Sequence, residues 1–168
     1  LNMKTIIDKL KFSASLFLST LALSFLFVTT SCDDDDDDKP ETITEIAASN
    51  PDFSTLVTAL ERTGLDAVLD GTTDYTVFAP TNDAFDTFLK GADINDVPEA
   101  VLTQILLNHV VSGEVLSTQL STGYIQTAAT FNGVANGSNL EMYVSTVDGV
   151  ELNGVSSVTE ADISASNG

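Results

Sequence analysis

Two residues in this sequence of 168 could supply a nucleophile or a base of unusual reactivity, and each type occurs once: Cys32 and His109. A single cysteine excludes a disulfide framework and a cysteine-rich zinc site, and a single histidine excludes the usual multi-histidine metal centres. Cys32 lies before the predicted folded part, so it cannot pair with His109 for catalysis. We interpret His109 as a structural residue, hydrogen-bonded where a helix meets a strand, with a binding role as the alternative.

The acidic residues include two pairs whose spacing suits a two-carboxylate acid and base site: Asp83 with Asp86, and Asp93 with Asp96. Such a site needs two carboxyl groups whose pKa values are held apart in a cleft, and solvation of an acidic surface explains the pairs more simply. The sequence contains neither a Gly-x-Ser-x-Gly motif nor a glycine-rich phosphate loop. We therefore predict no enzyme activity, no cofactor, no metal site and no nucleotide partner.

The net charge of the chain excludes a further class of partner. Asp and Glu number 25 against six Lys and Arg, a net charge of -19, so the chain would repel nucleic acid. From Glu41 onward, 18 acidic residues stand against Arg62 and Lys90, a net charge of -16. Trp is absent and aromatic residues make up 7% of the chain, so the composition predicts no aromatic platform for stacking sugars.

Residues 1–31 have the pattern of a targeting signal. Met3 is the expected start, and three lysines precede an apolar run over residues 12–28, which is short for a bilayer span. Small residues at 29–31 then lead to Cys32, in an arrangement that resembles a bacterial lipobox. That resemblance implies that the Cys32 thiol carries a diacylglyceryl group and that the mature chain begins there. A plain secretory signal with a chance cysteine and a retained membrane anchor are the alternatives.

The segment 32–41 contains six consecutive aspartates, at 33–38, followed by Lys39 and Pro40. Like charges repel one another, so we expect an extended, hydrated linker that holds the following domain away from the membrane. The segment also resembles the acidic export signal that some Gram-negative lineages place after the lipidated cysteine of surface lipoproteins. A spacer without sorting function and an aspartate-rich tag are the alternatives.

After the linker, helical signals come first. Thr42 and Glu45 have the spacing of a helix capping box, and Gly64 provides the left-handed stop of a second helix. Apolar residues at helical spacing predict further helices after Thr81, which is placed to cap one, and after Pro98, which opens the next. These elements form the predicted helical layer.

Strand signals dominate the second half of the sequence. A buried strand is predicted at 75–79, and apolar and polar residues later alternate with the period of a half-buried strand. Asp148-Gly149 and a similar pair at 153–154 predict hairpin turns. Helices followed by strands favour an α+β domain with an antiparallel sheet over residues 42–168.

Three segments resemble a known family, the fasciclin (FAS1) domain. TVFAPTNDAF at 76–85 is similar to the first signature of this family, ILLNHVVSG at 105–113 to its central histidine motif, and ADISASNG at 161–168 to the approach to its last signature. The resemblance implies a structural or binding role for eight motif residues: Thr76, Phe78, Pro80, Thr81, Asn82, Phe85, Asn108 and His109.

The resemblance covers residues 43–168 and implies a wedge of β-sheets with a layer of helices on one side. In the family, a final apolar strand follows the segment that ends here at Gly168. We therefore expect a domain whose final strand is missing, with an open sheet edge, an apolar groove and a tendency to aggregate.

For function, the resemblance implies an extracellular adhesion or interaction domain that binds protein or polysaccharide partners. Together with the leader, it predicts a bacterial lipoprotein that is anchored through Cys32 in the outer membrane of the cell envelope and faces outward. A carrier lipoprotein that binds a glycan or another small ligand is the alternative.

Overall fold

The structure, a computed structural model, describes residues 40–131 and 137–168. Both stretches belong to one unit, Asp38–Gly168. The signal, Cys32 and the aspartates at 33–38, on which the anchoring predictions depend, lie outside the described residues.

The predicted capping box begins the first helix. The hydroxyl of Thr42 accepts a hydrogen bond from the N–H of Glu45 at 3.2 Å, and the Glu45 carboxylate accepts one from the N–H of Thr42 at 2.7 Å. Two orphan donors of the helix terminus are satisfied in this way. The described helices are α1 (Ile43–Ser49), α2 (Ser54–Thr63), α3 (Asp66–Leu69), α4 (Asn82–Leu89) and α5 (Glu99–Leu107).

The other helix boundaries also follow local signals. Gly64 adopts a left-handed conformation, with φ of 65°, and ends α2 as predicted. The Thr81 hydroxyl accepts a hydrogen bond from the N–H of Ala84 at 3.4 Å and begins α4. Pro98 immediately precedes α5. Within the described part of the chain, no helix combines the length and apolar character needed to cross a bilayer.

The strands form two antiparallel sheets, which together with the helices confirm the predicted α+β class. In the first sheet, β1 pairs with β2, and in the second sheet the order is β3-β4-β5-β6. The strands are β1 (Tyr75–Val77), β2 (Val110–Ser112), β3 (Gly123–Phe131), β4 (Ser138–Ser145), β5 (Glu151–Leu152) and β6 (Ser156–Ser157).

A shift in pairing interrupts the longest strand, β3. Gln126 lies opposite Glu141, whereas Thr130 lies opposite Asn139, so β3 has two extra residues in this interval. The hydroxyl of Thr127, inside the bulge, donates a hydrogen bond to the Leu140 carbonyl at 3.1 Å. The bulge breaks the simple alternation of side chains, and for this reason β3 was not predicted as a separate strand.

The core has two parts. Helices α2, α4 and α5 pack around one cluster with β2, and β4 and β5 contribute the second, which contains Met142, Val144 and Leu152. Phe88 and Val101, which occupy apolar positions in α4 and α5, are 53% and 50% exposed and do not belong to the core. The buried residues of the first cluster are Leu56, Ala59, Leu60, Leu65, Leu69, Phe85, Ile94, Leu102, Leu106 and Val110.

Candidate functional site

Segment 76–85 runs from β1 into α4, and its first polar side chain holds neighbouring backbone. The Thr76 hydroxyl donates a hydrogen bond to the Gly113 carbonyl at 2.7 Å and accepts one from the N–H of Val115 at 2.8 Å. These two bonds hold the chain that leaves β2 against β1. Phe78, two residues later, packs against the second core cluster.

The middle of the same segment joins two helices. The side-chain oxygen of Asn82 accepts a hydrogen bond from the N–H of Thr55 at 2.9 Å, and its amide group donates one to the Pro51 carbonyl at 2.9 Å. Asn82 therefore fixes the start of α4 beside the start of α2. Pro80 is half-buried just before the capping residue Thr81, and Phe85 is buried in the first cluster.

The central motif connects α5 to both sheets. The Nδ1 atom of His109 lies 2.8 Å from the Ile105 carbonyl, to which it donates, and the His109 carbonyl accepts a hydrogen bond from the N–H of Phe78 at 2.9 Å. The Asn108 side-chain oxygen accepts a hydrogen bond from the Thr127 hydroxyl at 3.2 Å. His109 thus lies where α5 ends and β2 begins.

The eight motif residues do not converge on one constellation of reactive groups. The polar side chains of Thr76, Asn82 and His109 bind backbone groups, and that of Asn108 binds a buried threonine. Across residues 40–131 and 137–168, no three His, Cys, Asp or Glu side chains are grouped as ligands for a metal ion. This geometry suits side chains that hold segments together.

An apolar groove with a volume of about 630 Å³ borders β1, and Phe78, Phe85 and Val158 are among its lining residues. Thr76 and Val111 form a hydrogen-bonded pair between β1 and β2. The backbone N–H and C=O of the next residue, Val77, therefore point away from β2, toward the other edge of β1. On that edge the N–H of Tyr75 donates a hydrogen bond to the Asn167 carbonyl at 3.0 Å. Residues 167–168 therefore cover the edge of β1 at Tyr75, and the backbone groups of Val77 face the groove side of the strand.

A second long-range contact holds one wall of this groove. The carboxylate of Asp162 accepts hydrogen bonds from the hydroxyl of Ser117 at 2.6 Å and from its N–H at 2.7 Å. These two hydrogen bonds hold the pKa of Asp162 below its ordinary value of 3.8, and the bond from the Ser117 hydroxyl has the larger effect. Asp162 has a left-handed backbone, with φ of 60°, which turns this segment toward Ser117.

The outer face of the second sheet carries an aromatic pair that the composition did not predict. Tyr124 on β3 lies directly opposite Tyr143 on β4, and the ring centroids are 5.3 Å apart at an angle of 61°. Tyr124 is 71% exposed. The alternation around Tyr143 places it on the solvent side of its strand, but the sequence did not predict β3, and only the pairing of the two strands brings the rings together.

The first signature, the central motif and the order of helices and sheets all match one family. A family model for the fasciclin domain matches residues 51–168. Protein sll1483 of Synechocystis is 38% identical to this chain over 130 residues, which cover 76% of the chain and 67% of that protein.

Two animal proteins are similar over smaller shares of their own length. Stabilin-1 of Homo sapiens is 48% identical over 50 residues, 30% of this chain and 2% of that protein. Transforming growth factor-beta-induced protein ig-h3 of Sus scrofa is 29% identical over 130 residues, 75% of this chain and 18% of that protein. Because the family model matches most of the chain, this chain belongs to the fasciclin domain family.

Proposed function

We propose that this protein is an adhesion and interaction module that a lipid on Cys32 anchors to the outer membrane, with its fasciclin domain displayed outward. The fasciclin family is associated with cell adhesion and interaction, and it is not a family of enzymes. The observation that carries the proposal is the order along the chain: signal, cysteine, aspartate run, and then the domain.

The start of the domain supports a tethered arrangement. Thr42, which caps α1, follows directly after the linker 32–41. At about 3.4 Å per extended residue, the nine residues 33–41 reach about 30 Å. The linker is therefore long enough to hold the domain clear of the lipid headgroups, and its negative charge favours the extended form.

A lipid anchor also agrees with the chemistry available to Cys32. Each buried methylene contributes about 0.8 kcal/mol, and more than one acyl chain makes release from a membrane slow. The domain itself, with 17 acidic and two basic residues over 42–168, carries a net charge of -15, so it gains no attraction from an anionic headgroup layer. Membrane association would then depend on the thiol at position 32.

Fractionation of a Gram-negative host tests the anchor. Cys32→Ser should move the protein from the membrane fraction to the soluble fraction. Ser31→Ala is the matched control, because it keeps a small residue before the cysteine, and it should leave the protein in the membrane. Equal membrane partitioning of the Cys32→Ser variant and the parent contradicts the anchor.

Protease treatment of intact cells tests the outward orientation. The parent should be cleaved on intact cells, whereas a variant with Asn at residues 33–38 should stay membrane-bound and become protected if the aspartates direct export. Cleavage of the parent and of the Asn variant alike identifies the aspartate run as a spacer. Protection of both places the domain inside the envelope and contradicts surface display.

An attachment assay tests adhesion itself. Cells that display the protein should attach to surfaces coated with extracellular protein or polysaccharide, and cells that carry the Cys32→Ser variant should not. Saturable binding of a soluble glycan by the purified protein, without any difference in cell attachment, would instead favour a carrier lipoprotein.

A further inference from the structure

The solvent face of β3 and β4 presents a continuous strip of side chains with mixed character. Next to the pair formed by Tyr124 and Tyr143, the register places Gln126 opposite Glu141 on the same face. Side chains two positions apart on a strand lie about 7 Å from each other, so the amide and the carboxylate border the rings. On the other side of Tyr143, the same face continues with Ser145.

The rings of Tyr124 and Tyr143 lie at a steep angle to each other. With centroids 5.3 Å apart and an angle of 61° between the planes, the edge of one ring meets the face of the other, an arrangement that aromatic pairs prefer. Tyr124 is 71% exposed even after this contact, so most of its ring surface remains available to a ligand.

This combination matches the two-sided chemistry of a sugar ring. A pyranose presents C–H bonds on its faces, which stack on an aromatic ring, and hydroxyl groups around its rim. Gln126 both donates and accepts hydrogen bonds, and the Glu141 carboxylate accepts them, so both can bind rim hydroxyls. The phenol groups of the tyrosines add two further polar atoms.

The same face is poorly suited to a protein partner. Stable protein interfaces centre on a cluster of large apolar side chains that exclude water, and they bury more than about 1,000 Å². Tyr124 and Tyr143 are bordered on this strip by polar or charged side chains, namely Gln126, Glu141 and Ser145.

Charge further restricts the ligand. Glu141 lies on the face itself, and the domain, residues 42–168, carries a net charge of -15. Of its two basic residues, Arg62 donates hydrogen bonds to the Ile94 and Val97 carbonyls, and Lys90 ends α4. An acidic polysaccharide would meet repulsion without a compensating cation on this strip.

We propose that the outer face of β3 and β4, centred on Tyr124 and Tyr143, binds a neutral polysaccharide chain. This inference rests on the proposed adhesive function and names the partner class and the surface that contacts it. Adjacent sugar units would stack on the tyrosines while Gln126 and Glu141 bind their hydroxyl groups.

Affinity electrophoresis of the whole secreted chain, released by Cys32→Ser, tests the site. The gels contain hydroxyethyl cellulose, galactomannan or xyloglucan, with alginate as the acidic counterpart. At least one neutral polymer should retard the protein, and alginate should not. Tyr124→Ala and Tyr143→Ala should each weaken retardation at least tenfold, whereas Tyr124→Phe should keep most of it.

Phe88→Ala is the matched control, because it removes an exposed aromatic side chain from α4, away from β3 and β4. This variant should bind the polysaccharide as the parent does. If a tyrosine variant melts at a lower temperature, Gln126→Ala provides a second variant on an exposed position and should also weaken retardation. Retardation by none of the neutral polymers, equal retardation by alginate, or unchanged binding of the tyrosine variants overturns the proposal.

Cell attachment separates this proposal from the adhesive function. If the purified protein binds a neutral polysaccharide through Tyr124 but displaying cells do not attach, the site stands and the adhesive function fails. If cells attach to protein-coated surfaces through Tyr124 and not to polysaccharide, the adhesive function stands and the polysaccharide site is overturned.

Discussion

The side-chain oxygen of Asn167 accepts a hydrogen bond from the backbone N–H of Ile43 at 3.0 Å, across 124 positions of sequence. The amide group of Asn167 donates hydrogen bonds to the carbonyls of Leu69 and Gly71, and its backbone carbonyl accepts one from Tyr75. One side chain that is 4% exposed therefore joins α1, the end of α3 and, through its backbone, β1.

Replacing this side chain should destabilise the domain strongly. Asn167→Ala leaves the Ile43 N–H and two carbonyls without their partner, and we expect a loss of about 3 kcal/mol in the free energy of unfolding. Asn95→Ala, at an exposed position, is the control and should change it by about 0.5 kcal/mol or less. Urea denaturation measures both, and equal midpoints for the two variants would show that the cluster around Asn167 is dispensable.

Truncation of two adjacent residues of α5 should destabilise the protein by very different amounts. Leu102 is 0% exposed, and Leu102→Ala should cost about 2–5 kcal/mol through lost burial and a residual cavity. Val101 faces solvent, so Val101→Ala should cost less than about 1 kcal/mol. Thermal unfolding followed by circular dichroism gives the comparison, and similar losses for both variants would contradict the orientation of α5.

The contact between Asp162 and Ser117 should depend on pH. Because the folded protein holds the Asp162 pKa below 3.8, the contact contributes stability above that pH and loses it as the pH falls through the lower, folded-state value. Hydrogen exchange at the Ser117 amide should therefore become faster, relative to other amides, in strong acid. Asp162→Asn should remove this dependence, whereas Glu160→Gln, on the same segment, should retain it. A Ser117 amide whose relative protection is the same at pH 2 and pH 5 would exclude this contact in solution.

The groove beside β1 should accept an added strand. A fusion that places about ten apolar, β-branched residues after Gly168 should raise the melting temperature and reduce self-association, because the backbone groups of Val77 offer hydrogen bonds and the groove offers apolar surface. A fusion of equal length rich in Gly and Ser is the control and should change neither property. Light scattering and thermal melts measure the outcome, and identical behaviour of the two fusions would show that the groove does not take a strand.

Local patterns were sufficient for the helical half of the fold. The capping box at Thr42 and Glu45, the stop at Gly64 and the cap at Thr81 each depend on groups within four residues of one another, so their geometry follows from the sequence nearby. The motif at 76–85 also identified the family, and the family model supports that identification.

Longer-range pairing was not predictable in the same way. The bulge between Gln126 and Thr130 shifts the register of β3 on β4, and this register determines which side chains meet across the sheet. The contact between Tyr124 and Tyr143 depends on it. Likewise, nothing near Asn167 in the sequence indicated that its side chain would bind Ile43 and Leu69.

The sequence by itself determined several helix boundaries, the acidic character, the scarcity of catalytic groups and membership of the fasciclin family. Those properties depend on residue types and on interactions between near neighbours. Only the tertiary structure decided which surface is aromatic, which polar residues are buried and where an apolar groove borders β1. The physical reason is that strand register and apolar burial are settled by packing between segments that are distant in the chain, where local conformational preference has no influence.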